Sequence, residues 1–210
     1  MRALEVASSL AVSIARLGSG LMVSHAARTP EKLLELYEGE ACPYCRKVRE
    51  ALSELDLDSV IYPCPRGGER FRPEAIARSG QRQFPFLVDP NTGTAMLESS
   101  DIVRHLATTY GDGTVPLGLR LGPITNAASI ASSIFRPGKG RAARPSRRPE
   151  KMLELWSFEA SPYCRLVREA LSSLEIPYVL HNVAKKSARR AAFVARSGKL
   201  QVPYLVDPNT

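Results

Sequence analysis

The feature that most constrains this chain is a repeat of itself. Residues Leu33-Leu34-Glu35-Leu36-Tyr37, Cys42-Pro43-Tyr44-Cys45 and Val48-Arg49-Glu50-Ala51-Leu52 return about 119 positions later. The second copy reads Met152-Leu153-Glu154-Leu155-Trp156, Ser161-Pro162-Tyr163-Cys164 and Val167-Arg168-Glu169-Ala170-Leu171. In each copy a short apolar run precedes the tetrapeptide and a helical pattern follows, so a strand delivers each tetrapeptide to a helix N-terminus. Unpaired N–H groups and a partial positive charge at that position stabilise a thiolate and lower a cysteine pKa from its free value of about 8.5. Cys42 is therefore the expected nucleophile. Pro43 suits the first helical turn, and Cys45, one turn further in, is placed to resolve a mixed disulfide on Cys42. Arg46, Lys47 and Arg49 add positive charge nearby, with an ordinary solvated helix residue as the alternative reading of Arg49.

At 210 residues with 44% apolar content, the chain is long enough to bury a core, and the repeat points to two domains. Its four cysteines, two of them in one C-x-x-C, fit a reducing compartment better than a disulfide framework. Cys64, Cys164, His25, His105 and His181 lack the paired spacing of a zinc site, and no metal is expected. Residues 1 to 116 carry 13 Lys/Arg against 15 Asp/Glu, whereas residues 117 to 210 carry 16 against 6. Much of the excess lies in Arg136, Lys139, Arg141, Arg144, Arg147 and Arg148 among Pro137, Gly138, Gly140, Pro145 and Pro149, which reads as a flexible basic linker. No stacking aromatics or nucleic-acid motif accompany that charge, so nucleic acid is not the expected partner. Near the start, Leu10, Ile14, Leu17 and Leu21 fall at helical spacing and predict an amphipathic packing helix. No apolar run reaches the length of a membrane span, and Glu5 and Arg16 interrupt any signal-peptide core. A transit peptide for an organelle stroma is disfavoured against a cytoplasmic location. Ser13-Ile14-Ala15-Arg16-Leu17-Gly18-Ser19-Gly20 returns as Ser133-Ile134-Phe135-Arg136-Pro137-Gly138-Lys139-Gly140, and a cleaved leader is not expected to recur mid-chain.

The first unit reads as strand 33–37, helix 43–55, strand 59–62, helix 73–79, strand 86–89, strand 95–98 and helix 100–110, in the order βαβαββα. Asp89-Pro90-Asn91-Thr92-Gly93 supplies turn residues for the hairpin. The second unit follows the same plan through helix 162–174, strand 178–182, a basic helix around 187–197 and strand 204–207. Asp207-Pro208-Asn209-Thr210 then matches the hairpin turn, so this unit is expected to be truncated after its third strand, with an unpaired edge. The predicted fold is α/β with two tandem domains. Residues 1–30 form a lead-in helix, 31–111 the first domain, 112–149 a helix and basic linker, and 150–210 the second, incomplete domain.

At this point the residues resemble the glutaredoxins and the N-terminal domain of glutathione S-transferases, both of the thioredoxin-like superfamily. Cys42-Pro43-Tyr44-Cys45 after a strand is similar to the glutaredoxin active-site tetrapeptide. Phe84-Pro85-Phe86-Leu87-Val88-Asp89 looks like the family's cis-proline strand, and Glu98-Ser99-Ser100-Asp101-Ile102 is similar to the transferase Glu-Ser motif. The resemblance implies that glutathione is a co-substrate, held by Tyr44, Phe84, Pro85, Glu98 and Ser99. Phe84 would offer its backbone to a peptide, while Glu98 and the helix N-terminus behind Ser99 would meet an ammonium and a carboxylate. An edge-strand proline and a helix cap are the plain alternatives for Pro85 and Ser99.

In the second unit Ser161 takes the place of the nucleophile and suits a helix cap, Cys164 matches the resolving thiol without its partner, and Val202-Pro203 keeps the proline pattern. The resemblance thus implies a thiol-disulfide oxidoreductase acting on protein or small-molecule disulfides through Cys42 and Cys45. A glutathione transferase-like or isomerase-like enzyme is one alternative, although no all-helical domain follows either unit. A non-catalytic module that binds glutathione or peptides is the other. A glutathione-ligated iron-sulfur cluster fits less well than dithiol exchange, and Cys64 reads as an unreactive side chain or a third redox thiol.

Overall fold

The computed structural model describes residues 2–120, 126, 127, 129–131 and 136–210. Its elements run α1 (Arg2–Ala15), β1 (Leu34–Glu38), α2 (Pro43–Glu54), β2 (Ser59–Pro63), α3 (Arg72–Ser79), β3 (Phe86–Asp89), β4 (Thr94–Met96), α4 (Ser99–Thr109) and α5 (Leu117–Arg120). They continue with β5 (Leu153–Ser157), α6 (Pro162–Ser173), β6 (Tyr178–Asn182), α7 (Arg190–Ser197) and β7 (Tyr204–Val206). Ser133, Ile134 and Phe135 of the shorter repeat lie outside the described residues.

Each βαβ unit folds as its hydrophobic pattern requires: β1 is parallel to β2 and β5 to β6, with β3 and β7 antiparallel to the strand carrying the motif. The strands form a single sheet of order β4-β3-β1-β2-β6-β5-β7. The join is an antiparallel ladder between β2 and β6, with Val60 opposite Val179. The larger apolar core spans both units, since Leu36, Val48, Leu52 and Ile61 of the first share a cluster with Leu155, Leu171 and Leu180 of the second, while Tyr37, Phe71 and Phe86 form a smaller cluster within the first unit.

Contacts between the halves are reciprocal. Ser9 Oγ of α1 donates to the Pro162 carbonyl, while Ser129 Oγ donates to the Pro43 carbonyl. The Arg165 guanidinium donates to the Ser9 carbonyl and that of Arg46 to the Ser129 carbonyl. Arg189 pairs with Asp56 at 3.1 Å, and Arg70 donates its N–H to Glu175 Oε1 at 3.1 Å. Contacts that recur with the partners exchanged are the mark of an approximate two-fold relation between the units.

Two expectations need correction. Leu10, Ile14, Leu17 and Leu21 do not form the packing face of a helix: α1 ends at Ala15, before Leu17 and Leu21, and Leu10 and Ile14 on it are exposed, Ile14 to 66%. The buried face is Ser9, Val12 and Ser13, with Arg16 buried just past the end of the helix. It docks by hydrogen bonds and close approach of small residues, with Ser13 Oγ donating to the Ala160 carbonyl at 2.7 Å. Nor is the basic segment a free linker. Arg136 is buried between Glu5 and Glu169, Arg141 and Ala143 bond the backbone of Arg66, and Arg144 N–H donates to the Ser173 carbonyl. Gly140 explains part of this close fit, because its φ of +69° disfavours a side chain and a Cβ there would crowd Glu40 and Glu169. Among the described residues no helix is long and apolar enough to cross a membrane.

Candidate thiol site

Strand β1 ends at Glu38, and two residues of turn carry the chain to Ala41 and the N-terminus of α2. Cys42 is the N-cap residue there, in extended conformation, and its sulfur accepts the Cys45 N–H at 3.4 Å. Pro43 occupies the first turn, where a missing N–H costs nothing. Cys42 is half-buried and Cys45 fully buried; both are free thiols. The hydrogen bond from the Cys45 thiol is the main influence lowering the Cys42 pKa to about 6, against the opposing effect of burial. Backbone N–H groups of Cys45 and Tyr44 and the charge of Arg49 add to it. Burial pushes Cys45 well above its ordinary value, reinforced by its hydrogen bond to Cys42. The thiol–thiol hydrogen bond and the burial of Cys45 thus separate the pair into a thiolate near neutral pH and a proton-holding partner.

Arg49 is not a solvated helix residue. It is buried among Glu38, Glu40 and Glu159, with Nε 2.9 Å from Glu159. Arg168, its counterpart, lies 3.1 Å from Glu40 and 2.8 Å from Glu159. The charge that favours the Cys42 thiolate is therefore held by carboxylates of both units.

The Phe84–Pro85 and Val202–Pro203 bonds are cis. The Phe84 carbonyl lies 3.9 Å from the Cys42 sulfur and is a weak acceptor for its S–H. Gln83, one residue earlier, donates to Glu98 Oε1 and so links the proline loop to the start of α4. Glu98 is exposed at the N-cap of α4 with φ of +67°, a strained conformation for a side-chain-bearing residue, and Ser99 is buried in the first turn. Tyr44 is exposed beside the thiol. Cys42, Phe84 and Cys64 line one cavity of about 580 Å³, which neither Glu98 nor Ser99 lines. Cys64 is buried, its S–H directed to the Tyr62 carbonyl at 3.5 Å, and burial raises its pKa.

In the second unit Ser161 Oγ accepts the Cys164 N–H at 3.3 Å, reproducing the cap without a thiol, and Cys164 is buried. Sequence reasoning missed the residues around the cavity, including Arg66, Arg72 and Arg141. Arg72 lies over the Phe84 ring at 4.7 Å. It also missed the Glu40–Arg168 and Glu159–Arg49 pairs, although Glu40 and Arg49 recur in register as Glu159 and Arg168 within the repeat.

A sheet in which β1 and β2 are parallel, β3 and β4 antiparallel, with a C-x-x-C capping α2 and a cis-proline opposite it, defines a thioredoxin-like protein. Residues 36–114 and 155–210, more than half of the chain, match the family model described as the glutathione S-transferase N-terminal domain. The chain belongs to that family, whose members are thioredoxin-like and glutathione-related. No curated protein and no solved structure gives a significant match.

Proposed function

We propose that the protein is a glutathione-linked thiol-disulfide oxidoreductase acting through Cys42 and Cys45. The observation that carries this reading is the polarity of the thiol pair: an accessible sulfur with its pKa lowered to about 6 beside a buried one raised well above normal. The Cys42 thiolate attacks a glutathionylated thiol at the glutathione sulfur. A Cys42–glutathione disulfide forms, the original S–S bond breaks, and the freed thiolate takes a proton from water. A glutathione thiolate then attacks this mixed disulfide, releasing oxidised glutathione and restoring the Cys42 thiolate. With a protein disulfide, Cys45 loses its proton and attacks instead; the Cys42–Cys45 disulfide that results is reduced by two molecules of glutathione. Glu98, Ser99, Phe84, Pro85 and Tyr44 are assigned to the glutathione side of the site, and Ser161, Cys164, Val202 and Pro203 to a counterpart without turnover.

Deglutathionylation of a peptide mixed disulfide tests this. The wild type is expected to turn over and Cys42→Ser to fall to background, whereas equal rates in the two overturn the assignment. The cavity beside Cys42 favours a second reading, a transferase-like reaction in which glutathione meets an electrophile there. Activity with an electrophile and none with disulfides selects it.

A further inference from the structure

The cavity at Cys42 has a wall that does not come from the first unit's own fold. Arg66, in the loop after β2, is hydrogen-bonded through its backbone to the segment that precedes the second unit. Its N–H donates to the Arg141 carbonyl at 2.7 Å, and its carbonyl accepts the Ala143 N–H at 2.9 Å. This ladder holds Arg66 and Arg141 next to each other in the lining of the cavity that Cys42 also lines. Arg72 and Arg136 complete a lining of four arginines with no carboxylate among the described residues. The residues outside the description, 1, 121–125, 128 and 132–135, contain no Asp or Glu either. Arg136 is neutralised by Glu169 and Glu5, and Arg72 is tied to the Cys64 carbonyl and the Phe84 ring. Arg66 and Arg141 are exposed and line the cavity, and among the described residues no carboxylate pairs with either. A cavity of about 580 Å³ takes a small molecule rather than a single ion.

We infer that this cavity is a subsite for a carboxylate-bearing group on the molecule that Cys42 attacks, so that disulfides with an acidic leaving thiol are preferred. The inference rests on Cys42 being the attacking thiol. The glutathione half is assigned to the side of Glu98 and Ser99, which lies outside the cavity, and the departing half then enters between Arg66 and Arg141. The Cys42 sulfur bonds to the glutathione sulfur, the S–S bond breaks, and the departing thiolate leaves with its carboxylate held by the guanidinium pair.

Two matched pairs of reagents test it, applied to the full chain and to Arg66→Gln/Arg141→Gln. In the first pair, the Cys42 thiolate displaces iodide from iodoacetate or from its neutral analogue iodoacetamide, forming one C–S bond as the C–I bond breaks. Both reagents sample the same thiolate, so a change in its pKa cancels in the ratio of rates. The iodoacetate-to-iodoacetamide ratio at Cys42, read by mass spectrometry, is expected to fall about fivefold in the variant. That is the scale of one or two solvent-facing charge contacts. Arg66→Glu/Arg141→Glu is expected to lower it further. An unchanged ratio overturns the proposal.

In the second pair, the glutathione mixed disulfides of 3-mercaptopropionate and of its neutral amide, 3-mercaptopropionamide, present an anionic and an uncharged leaving thiol of matched length. KM for the first is expected to rise about fivefold relative to the second. An equal rise for both would assign the arginines to the glutathione half and overturn the proposal. Failure of the wild type to turn over either disulfide would remove the oxidoreductase reading, while the alkylation ratio would still decide the subsite.

Discussion

At Cys42 the sulfur is half-buried, which disfavours a thiolate, yet it receives the Cys45 S–H and two backbone N–H groups and lies in the field of Arg49. A hydrogen bond to a charged acceptor contributes about 1.5–3 kcal/mol, enough to outweigh partial desolvation. The sign follows: a thiol whose pKa is lowered to about 6 is ionised above that pH and reacts in proportion to its thiolate fraction. The rate of Cys42 alkylation by iodoacetamide is therefore expected to rise with a midpoint near pH 6. In Cys45→Ala, which removes the first of these donors, the midpoint is expected to move up by about one unit, the equivalent of one such bond. An unshifted midpoint would assign the activation to the helix N-terminus and Arg49 instead. Ser161 shows what the same local fold does without sulfur: the cap bond to Cys164 N–H remains, and no group in its place ionises near neutral pH.

Helices α2 and α6 bring Arg49 and Arg168 into an interior lined by Glu38, Glu40 and Glu159. Buried ions are tolerated only when paired, and removing one partner strands the others at a cost of about 3–5 kcal/mol. Glu159→Gln, which keeps the shape and removes the charge, is expected to lose stability on that scale in urea unfolding. Removing one end of the exposed Arg104–Asp101 pair should cost under about 0.5 kcal/mol. The Arg168 and Arg49 charges hold the Glu159 carboxyl down to about 2 against burial. A carboxyl so lowered contributes stability above about pH 4.5 that is lost as the pH falls toward 2, so the Glu159→Gln deficit is expected to shrink across that window.

The sequence made the elements legible, with α2, β2, β3 and β6 within a residue or two of their periodic patterns, because half-buried strands and amphipathic helices bury alternate or every third or fourth residue. It misled at α1, where Ser9 and Ser13 pack by donating to the carbonyls of Pro162 and Ala160 while Ile14 faces solvent, since hydrophobic spacing carries no signal for polar docking. Arg49 does place charge near Cys42, as its position suggested, and only its alternative reading as a solvated residue fails, for the same reason. A charged residue in a helix reads as solvated unless its carboxylate partners are already known to be near, and Glu159 is 110 residues away.

Across the whole molecule, the tetrapeptide and cis-proline of the thiol site could be read from residues close together in sequence, but the cavity wall could not. Arg141 lines the cavity of Cys42 in a fold where the β2–β6 ladder and the reciprocal docking of the lead-in segments bring the halves together. Val60 and Val179 have the pattern of any half-buried strand, which predicts a strand and not its neighbour. A sheet continuous through β2 and β6, a core shared by Leu36 and Leu155, and ion pairs shared by Arg49 and Arg168 leave no surface along which one half can unfold alone without exposing apolar side chains and unpaired charges. Independent probes exist for each half. The single tryptophan, Trp156, lies in the second unit, stacked on His181 and Phe193, and Cys45 is fully buried in the first. In a urea titration the loss of Trp156 native fluorescence and the exposure of Cys45 to a thiol reagent, measured in Cys42→Ser, are expected to share one midpoint, as in a two-state transition. Two separated midpoints would show that the first unit holds its structure without the second. In that case the arginine wall would be a contact the site can lose rather than part of its fold.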